Sequence, residues 1–257
     1  MNRSKLRQPT LVPTTSSDQY QAYNVWDAPT RWFHWINALA VLSLIIVGII
    51  LLNDDALGIS ANGKFFLKQI HVVFGYVMGL NLIWRFVWAF FGNRHARWSA
   101  MLPYGSSYWS KLRAYGHAFL SGEPQEYVGH NPAARLGIAV LLLLLLLQAA
   151  TGLILAGTDL FWPPFGGWFA GWVAAAGVDP ATVSPLTANT LDQTAYKAMR
   201  AFRNPVVMIH LYAFYALGSV ILLHLVAVIV TEVHEGGSIT SAMFTGRKLF
   251  NRPPQDR

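Results

Sequence analysis

The sequence predicts an all-α membrane protein, a four-transmembrane-helix bundle with short interfacial helices in its connections. Two observations carry this. Of 257 residues, 54% are hydrophobic and only 12% are charged, about half the charge of an ordinary soluble domain. Four apolar runs, at 32–52, 65–91, 136–157 and 205–231, each reach the length of about 20 residues that a helix needs to cross a bilayer. The net charge of +7 is therefore not a nucleic-acid footprint. Membrane lipid is the expected surrounding, and no nucleic acid is expected as a partner.

The basic residues are unevenly placed. Thirteen of the nineteen Lys and Arg fall in the N-terminal arm, the second connection and the C-terminal tail. Five, Lys64, Lys68, Lys197, Arg200 and Arg203, fall toward the other side, and Arg85 lies deeper inside the second run. Positive residues stay inside, so both termini are expected in the cytoplasm. The first 24 residues are polar and carry no signal-type apolar core, which reads as a flexible cytoplasmic arm. A transmembrane domain follows over 25–235, then a cytoplasmic tail over 236–257.

The first helix is expected to open at Asp27-Ala-Pro-Thr-Arg, where Pro29 and Thr30 suit a helix entry. Trp32 and Trp35 suit the interface belt, and His34 sits at the inner end. The second helix carries His71 near its outer end, and Arg85 follows fourteen residues later. Gly75 and Gly79 form a small-xxx-small pair that admits a neighbouring helix or a flat ring. In the inner connection, Ser106 to Leu120 sets Trp109, Leu112 and Phe119 at helical spacing opposite Lys111 and Arg113. That pattern predicts a helix on the membrane surface. Asn131 before Pro132 is a helix cap for the third span, whose Leu-rich run has Gln148 and Thr151 but no histidine. A packing role is expected of it. The periplasmic connection is expected over 158–204, long enough to carry function. The fourth helix is expected to open at Asn204-Pro205.

That last helix carries His210 and His224, fourteen residues apart. They are separated by roughly 21 Å along the axis and by about 40° around it. Both imidazoles thus leave one face, one near each end of the membrane. Ligand-type residues inside lipid default to function. Sorted by depth, His71 pairs with His210 at the outer end and His34 with His224 at the inner end. Two imidazoles from different helices are what a six-coordinate haem iron takes. The sequence contains no cysteine, which excludes disulfides, thiolate-held iron–sulfur clusters and covalent haem attachment. Two haems b held non-covalently are the expected cofactors. With no open iron position they suit electron transfer. Gly48, fourteen residues after His34, leaves room at the outer haem. Arg31 and Arg85 near the inner haem are expected to meet propionates or a quinone oxygen, with Arg85 deep enough to need an anionic partner. His130 offers a hydrogen bond and a proton to a quinone. His95, His117 and His234 are expected at the surface.

At these residues the chain resembles the b-type cytochrome subunit of nickel–iron hydrogenases and the related cytochrome subunit of formate dehydrogenases. The resemblance rests on Ala28-Pro-x-Arg-x-x-His-Trp-x-Asn-Ala-Leu39, His71, Gly92-Asn-x-His-x-Arg97, Tyr127-Val-Gly-His-Asn-Pro-x-Ala-Arg135 and the His210/His224 spacing. It covers about 25–250. The Trp-His-His-Leu-Gly usual in that subunit is replaced by Val207-Met-Ile-His-Leu-Tyr. The resemblance implies His34, His71, His210 and His224 as iron ligands and a quinone, menaquinone or ubiquinone, near His130. It also implies a respiratory-chain role in the bacterial inner membrane. Electrons would pass between the quinone pool and a periplasmic redox subunit: a hydrogenase, another dehydrogenase or a cytochrome c. The chain would then be one subunit of a quinone-linked oxidoreductase complex, with a homo-oligomer possible within it. The alternatives are a stand-alone cytochrome b that oxidises superoxide or another small reductant, and a non-redox membrane anchor.

Overall fold

The structure, a computed structural model, describes residues 20–123, 125–235, 238–250 and 253–256, with the backbone alone at 234 and 235. Most of the expected arm, residues 1–19, lies outside the described residues. Its end does not: Gln21–Asn24 forms a short strand, β1.

Helix α1 (Ala28–Leu52) starts where Asp27 accepts a hydrogen bond from the Thr30 amide at 3.0 Å, with Pro29 in its first turn. Helix α2 (Ala61–Phe91) is capped by Ser60, which accepts from Gly63 N, and stops at Gly92. Two short helices follow, α3 (Trp98–Met101) and α4 (Tyr108–Leu120), at the end of the bundle that also holds β1, labelled inner after the expected topology, the opposite end being labelled outer. Helix α5 (Pro132–Leu160) begins at Asn131, whose side chain accepts from Ala134 N at 2.7 Å. Then come α6 (Gly166–Val173), α7 (Gln193–Glu235) and α8 (Ile239–Thr245), and a closing strand β2 (Arg247–Phe250). Among the described residues four helices, α1, α2, α5 and α7, are long and apolar enough to span a membrane.

The fourth span departs from the sequence expectation. It does not open at Asn204-Pro205; Pro205 lies inside α7. The cap is Asp192, whose carboxylate accepts from Thr194 N (2.8 Å) and Ala195 N (2.9 Å). A proline withholds one N–H from the ladder, and spanning helices tolerate that. At about 1.5 Å per residue α7 is roughly 65 Å long, well beyond the ~30 Å hydrocarbon core. The outer connection is correspondingly shorter than 158–204, running from Phe161 to Asp192.

The spans pack in sequence: α1 on α2, α2 on α5, α5 on α7, while α1 and α7 scarcely touch. Ala40, Val41, Met78, Leu82, Leu142, Leu145 and Leu217 form the interior. Lipid is as apolar as leucine, so close fit rather than water exclusion holds such helices together. Outside the bundle, Phe169, Val173, Val183, Leu191 and Met199 form a separate core that roofs the outer end. The side of α4 that packs on the rest of the protein is Tyr108, Tyr115 and Ala118, while Trp109, expected on the membrane-facing side, is exposed. Tyr108 turns inward because its hydroxyl reaches the Pro132 carbonyl at 2.8 Å.

At the inner end β1 pairs antiparallel with β2, Gln21 opposite Phe250 and Asn24 opposite Arg247. The turn into β2 is made by Gly246 at φ +78°, where a Cβ would stand 2.6 Å from the Trp26 carbonyl oxygen. Left-handed backbone costs a substituted residue about 1–2 kcal/mol, and a carbonyl cannot swing aside as a side chain can. Gly246→Ala is therefore expected to lower the thermal unfolding midpoint in detergent. An unchanged midpoint would mean that the clasp contributes nothing to stability.

Candidate functional site

The outer site is built by three helices. His71 on α2 and His210 on α7 face each other with ring centroids 6.4 Å apart and planes at 70°. That separation is wide enough for one metal atom between the two rings. Each ring is backed by a glycine. A Cβ on Gly48 of α1 would stand 3.4 Å from His71 Cε1, and one on Gly152 of α5 would stand 3.5 Å from His210 Cε1. Gly48 thus makes room for the imidazole itself. His71 Nδ1 is buried without a partner, whereas His210 Nδ1 lies 2.7 Å from Thr151 Oγ1. Gln148 Nε2 donates to the His210 carbonyl at 3.2 Å. Helix α5, expected only to pack, therefore orients a histidine. The polar Gln148 and Thr151 in a Leu run were the visible signal.

His34 on α1 and His224 on α7 lie within electrostatic reach of one another, without the ring contact of the outer pair. His34 Nδ1 is buried and unpartnered, and its ring meets Trp35 edge-on at 5.1 Å. His224 keeps an exposed side chain. Among the described residues no three His, Asp or Glu come together to hold a bare ion; the histidines meet in twos. Histidines meeting in twos would suit the iron of a haem, which would supply one-electron transfer there.

Both expected arginines stand at the inner end. Arg31 Nη1 donates to the Phe244 carbonyl while its Nε is buried without a partner. Arg85 is buried over the Phe33 ring, 5.7 Å from its centroid. It donates to the Ala96 carbonyl at 3.0 Å and contacts Met101 Sδ, and Nη1 has no partner. No carboxylate lies within ion-pair distance of Arg85 among the described residues. The acid it senses, Asp27, is engaged by Thr30 N, Trp88 Nε1 and Asn93 N. Burial works to raise the Asp27 carboxyl, and those hydrogen bonds outweigh it, leaving it below the usual value.

His130 packs on Trp26 with ring centroids 4.6 Å apart, and its Nδ1 is buried without a partner. Its loop is gripped by the C-terminal tail. Lys248 Nζ donates to the carbonyls of Tyr127 (3.0 Å) and Gly129 (3.1 Å), and Asp256 accepts from Val128 N (2.5 Å) and Gly129 N (2.8 Å). His95, expected at the surface, is buried beside Gly129; a Cβ there would stand 2.8 Å from its Nδ1. His117 is exposed, and the side chain of His234 lies outside the described residues. Burial, with the positive charges of Lys248 and Arg85, pushes the His130 imidazole down to about 3. It stays neutral in the folded protein at pH 5, while an unfolded chain with an ordinary value of 6.5 takes up the proton. Protons then favour the unfolded state. Stability is expected to fall as pH drops below 6.5 and to level off near 3. Unfolding midpoints of His130→Gln across that range should lack this component; an identical pH profile in the variant would refute it.

At the outer end Asp159, the penultimate residue of α5, collects three cations. Lys68 Nζ lies at 2.7 Å, Arg203 engages both carboxylate oxygens, and Arg200 lies at 3.7 Å. Sequence reasoning did not single out Asp159, since its partners stand on α2 and α7.

A family model described as prokaryotic cytochrome b561 matches residues 25–246. Curated relatives include a "Probable Ni/Fe-hydrogenase B-type cytochrome subunit" of Rhizobium leguminosarum bv. viciae, 28% identical over 242 residues and covering 90% of each chain. A protein of the same description from Cupriavidus necator is 37% identical over 129 residues, 47% of this chain and 52% of the relative. The "Probable Ni/Fe-hydrogenase 1 B-type cytochrome subunit" of Escherichia coli K12 is 28% identical over 149 residues, 54% of this chain and 62% of the relative. Aligned segments thus span about half of some relatives and nine-tenths of another.

Proposed function

Since the chain belongs to the prokaryotic cytochrome b561 family, and is thereby a membrane b-type cytochrome of electron transfer, we propose that it carries two haems b and links a periplasmic redox partner to the quinone pool. His71 and His210 hold the outer haem, and His34 and His224 hold the inner one. The facing of His71 and His210 across 6.4 Å carries this reading. The repeat of the same fourteen-residue step along α7 extends it to the inner pair.

The residues fit such groups. Gly75, Gly79 and Gly218 point a missing Cβ at open space on partly buried faces of α2 and α7. The partnerless Arg31 Nε and Arg85 Nη1 supply buried donors for propionates or a quinone oxygen. When bound, haem b supplies one-electron carriage with no open iron position. The chain's own work is to hold the imidazoles at two depths and to keep charge and water out of the span. At the inner end it presents a neutral His130 to a menaquinone or ubiquinone. Protons for the quinone would come from the cytoplasm, adding to the membrane potential.

The thirteen inward basic residues support cytoplasmic termini in a bacterial inner membrane. The relatives' names favour a hydrogenase as partner, with another dehydrogenase or a cytochrome c as substitutes, and a homo-oligomer within the complex is compatible. The purified protein is expected to yield two haems b per chain by pyridine haemochromogen assay. Both should be reoxidised by an added quinone analogue. A single haem per chain would refute the two-site reading, and reoxidation by dioxygen but not quinone would refute the quinone link.

A further inference from the structure

The outer histidine pair is asymmetric: His210 Nδ1 has a side-chain partner, and His71 Nδ1 has none. We infer that Thr151 is a positioning residue for the outer haem, accepting the Nδ1–H of His210, fixing its tautomer and lowering the reduction potential of that haem. This rests on the reading that His71 and His210 grip a haem.

A threonine hydroxyl carries one proton and two lone pairs. Thr151 Oγ1 lies 2.7 Å from the Leu147 carbonyl oxygen and 3.3 Å from that of Gln148. A carbonyl cannot donate, so these contacts claim the hydroxyl proton. The lone pairs are left for His210 Nδ1 at 2.7 Å, and only an Nδ1–H closes that contact. Nε2 is then unprotonated, the state a metal ligand must have. Gln148 and Gly152 complete the cradle on the same face of α5, one holding the His210 backbone and the other clearing space for the ring. An imidazole whose N–H is given to an acceptor is a stronger electron donor. It favours the oxidised over the reduced iron. His71 lacks such an acceptor, so this tuning enters the outer haem from one side only.

The test is a spectroelectrochemical titration of the full-length protein in detergent, comparing wild type with Thr151→Val and Thr151→Ser. The wave missing from a His71→Ala variant marks the outer haem. Thr151→Val is expected to shift the outer reduction equilibrium about tenfold toward the reduced form, about 59 mV for a one-electron couple. The inner wave should stay in place, and Thr151→Ser should keep the wild-type potential. Should Thr151→Val lose the outer haem, its retention at wild-type potential in Thr151→Ser still assigns the role to the hydroxyl. An unmoved outer wave in Thr151→Val overturns the inference. So does a serine variant that shifts, or loses haem, as far as the valine one. Failure of the underlying two-haem reading is a separate result, visible as a single wave in the wild type.

Discussion

His224→Ala is expected to halve the haem b content and to abolish quinone reduction while the outer haem survives. The inner pair has one imidazole from α1 and one from α7, and no third histidine lies at that depth within a span. Losing one axial ligand leaves His34 to hold a non-covalent group alone. His71, His210, Thr151 and Gly48 are untouched, because the outer pair stands about 21 Å away along α7. The pyridine haemochromogen ratio should fall from two haems per chain to one. The outer wave of a redox titration should stay where it was, and electron flow to a quinone analogue should cease. Retention of both haems in that variant would break the assignment by depth.

Asp159→Ala is expected to cost about 3–5 kcal/mol of stability, the range for removing one partner of a buried ion pair. The Asp159 side chain is 9% exposed and that of Arg203 is 14% exposed. Without the carboxylate, Lys68 and Arg203 remain as unpaired like charges between α2 and α7. The destabilisation should appear as a much lower unfolding midpoint in detergent. It should grow smaller when Arg203 is neutralised in the same chain, since the orphaned charge is then gone. A single variant as stable as wild type would show that solvent reaches the cluster freely.

Much of the bundle was legible because a bilayer imposes a length. Four apolar runs of spanning size can only be helices, and α1, α2 and α5 extend those runs by a few residues at their ends. The start of α7 was misread for a local reason. Asn204-Pro205 has the form of a helix entry, and the true cap, Asp192, belongs to a polar stretch that propensity reads as loop. The histidines were legible because one helix repeats them on one face. Their facing across helices was reached only through depth. Other features join residues too far apart in sequence for any pattern to reveal. Lys68 meets Asp159 across 91 positions and Lys248 meets Gly129 across 119. The β1–β2 pair joins four residues at one end of the chain to four at the other, and strands that short leave no periodicity.

That pairing also closes the chain into a circuit. Inside the membrane α1 and α7 scarcely touch, so the bundle is a row of four rods with a seam between its first and last. Among the described residues the two loose rods are fastened to each other beyond the lipid, where Gln21 lies across from Phe250 and Arg31 holds the end of α8. A broad flat guest entering sideways from the bilayer would meet the gap before it met any helix that had to unwind.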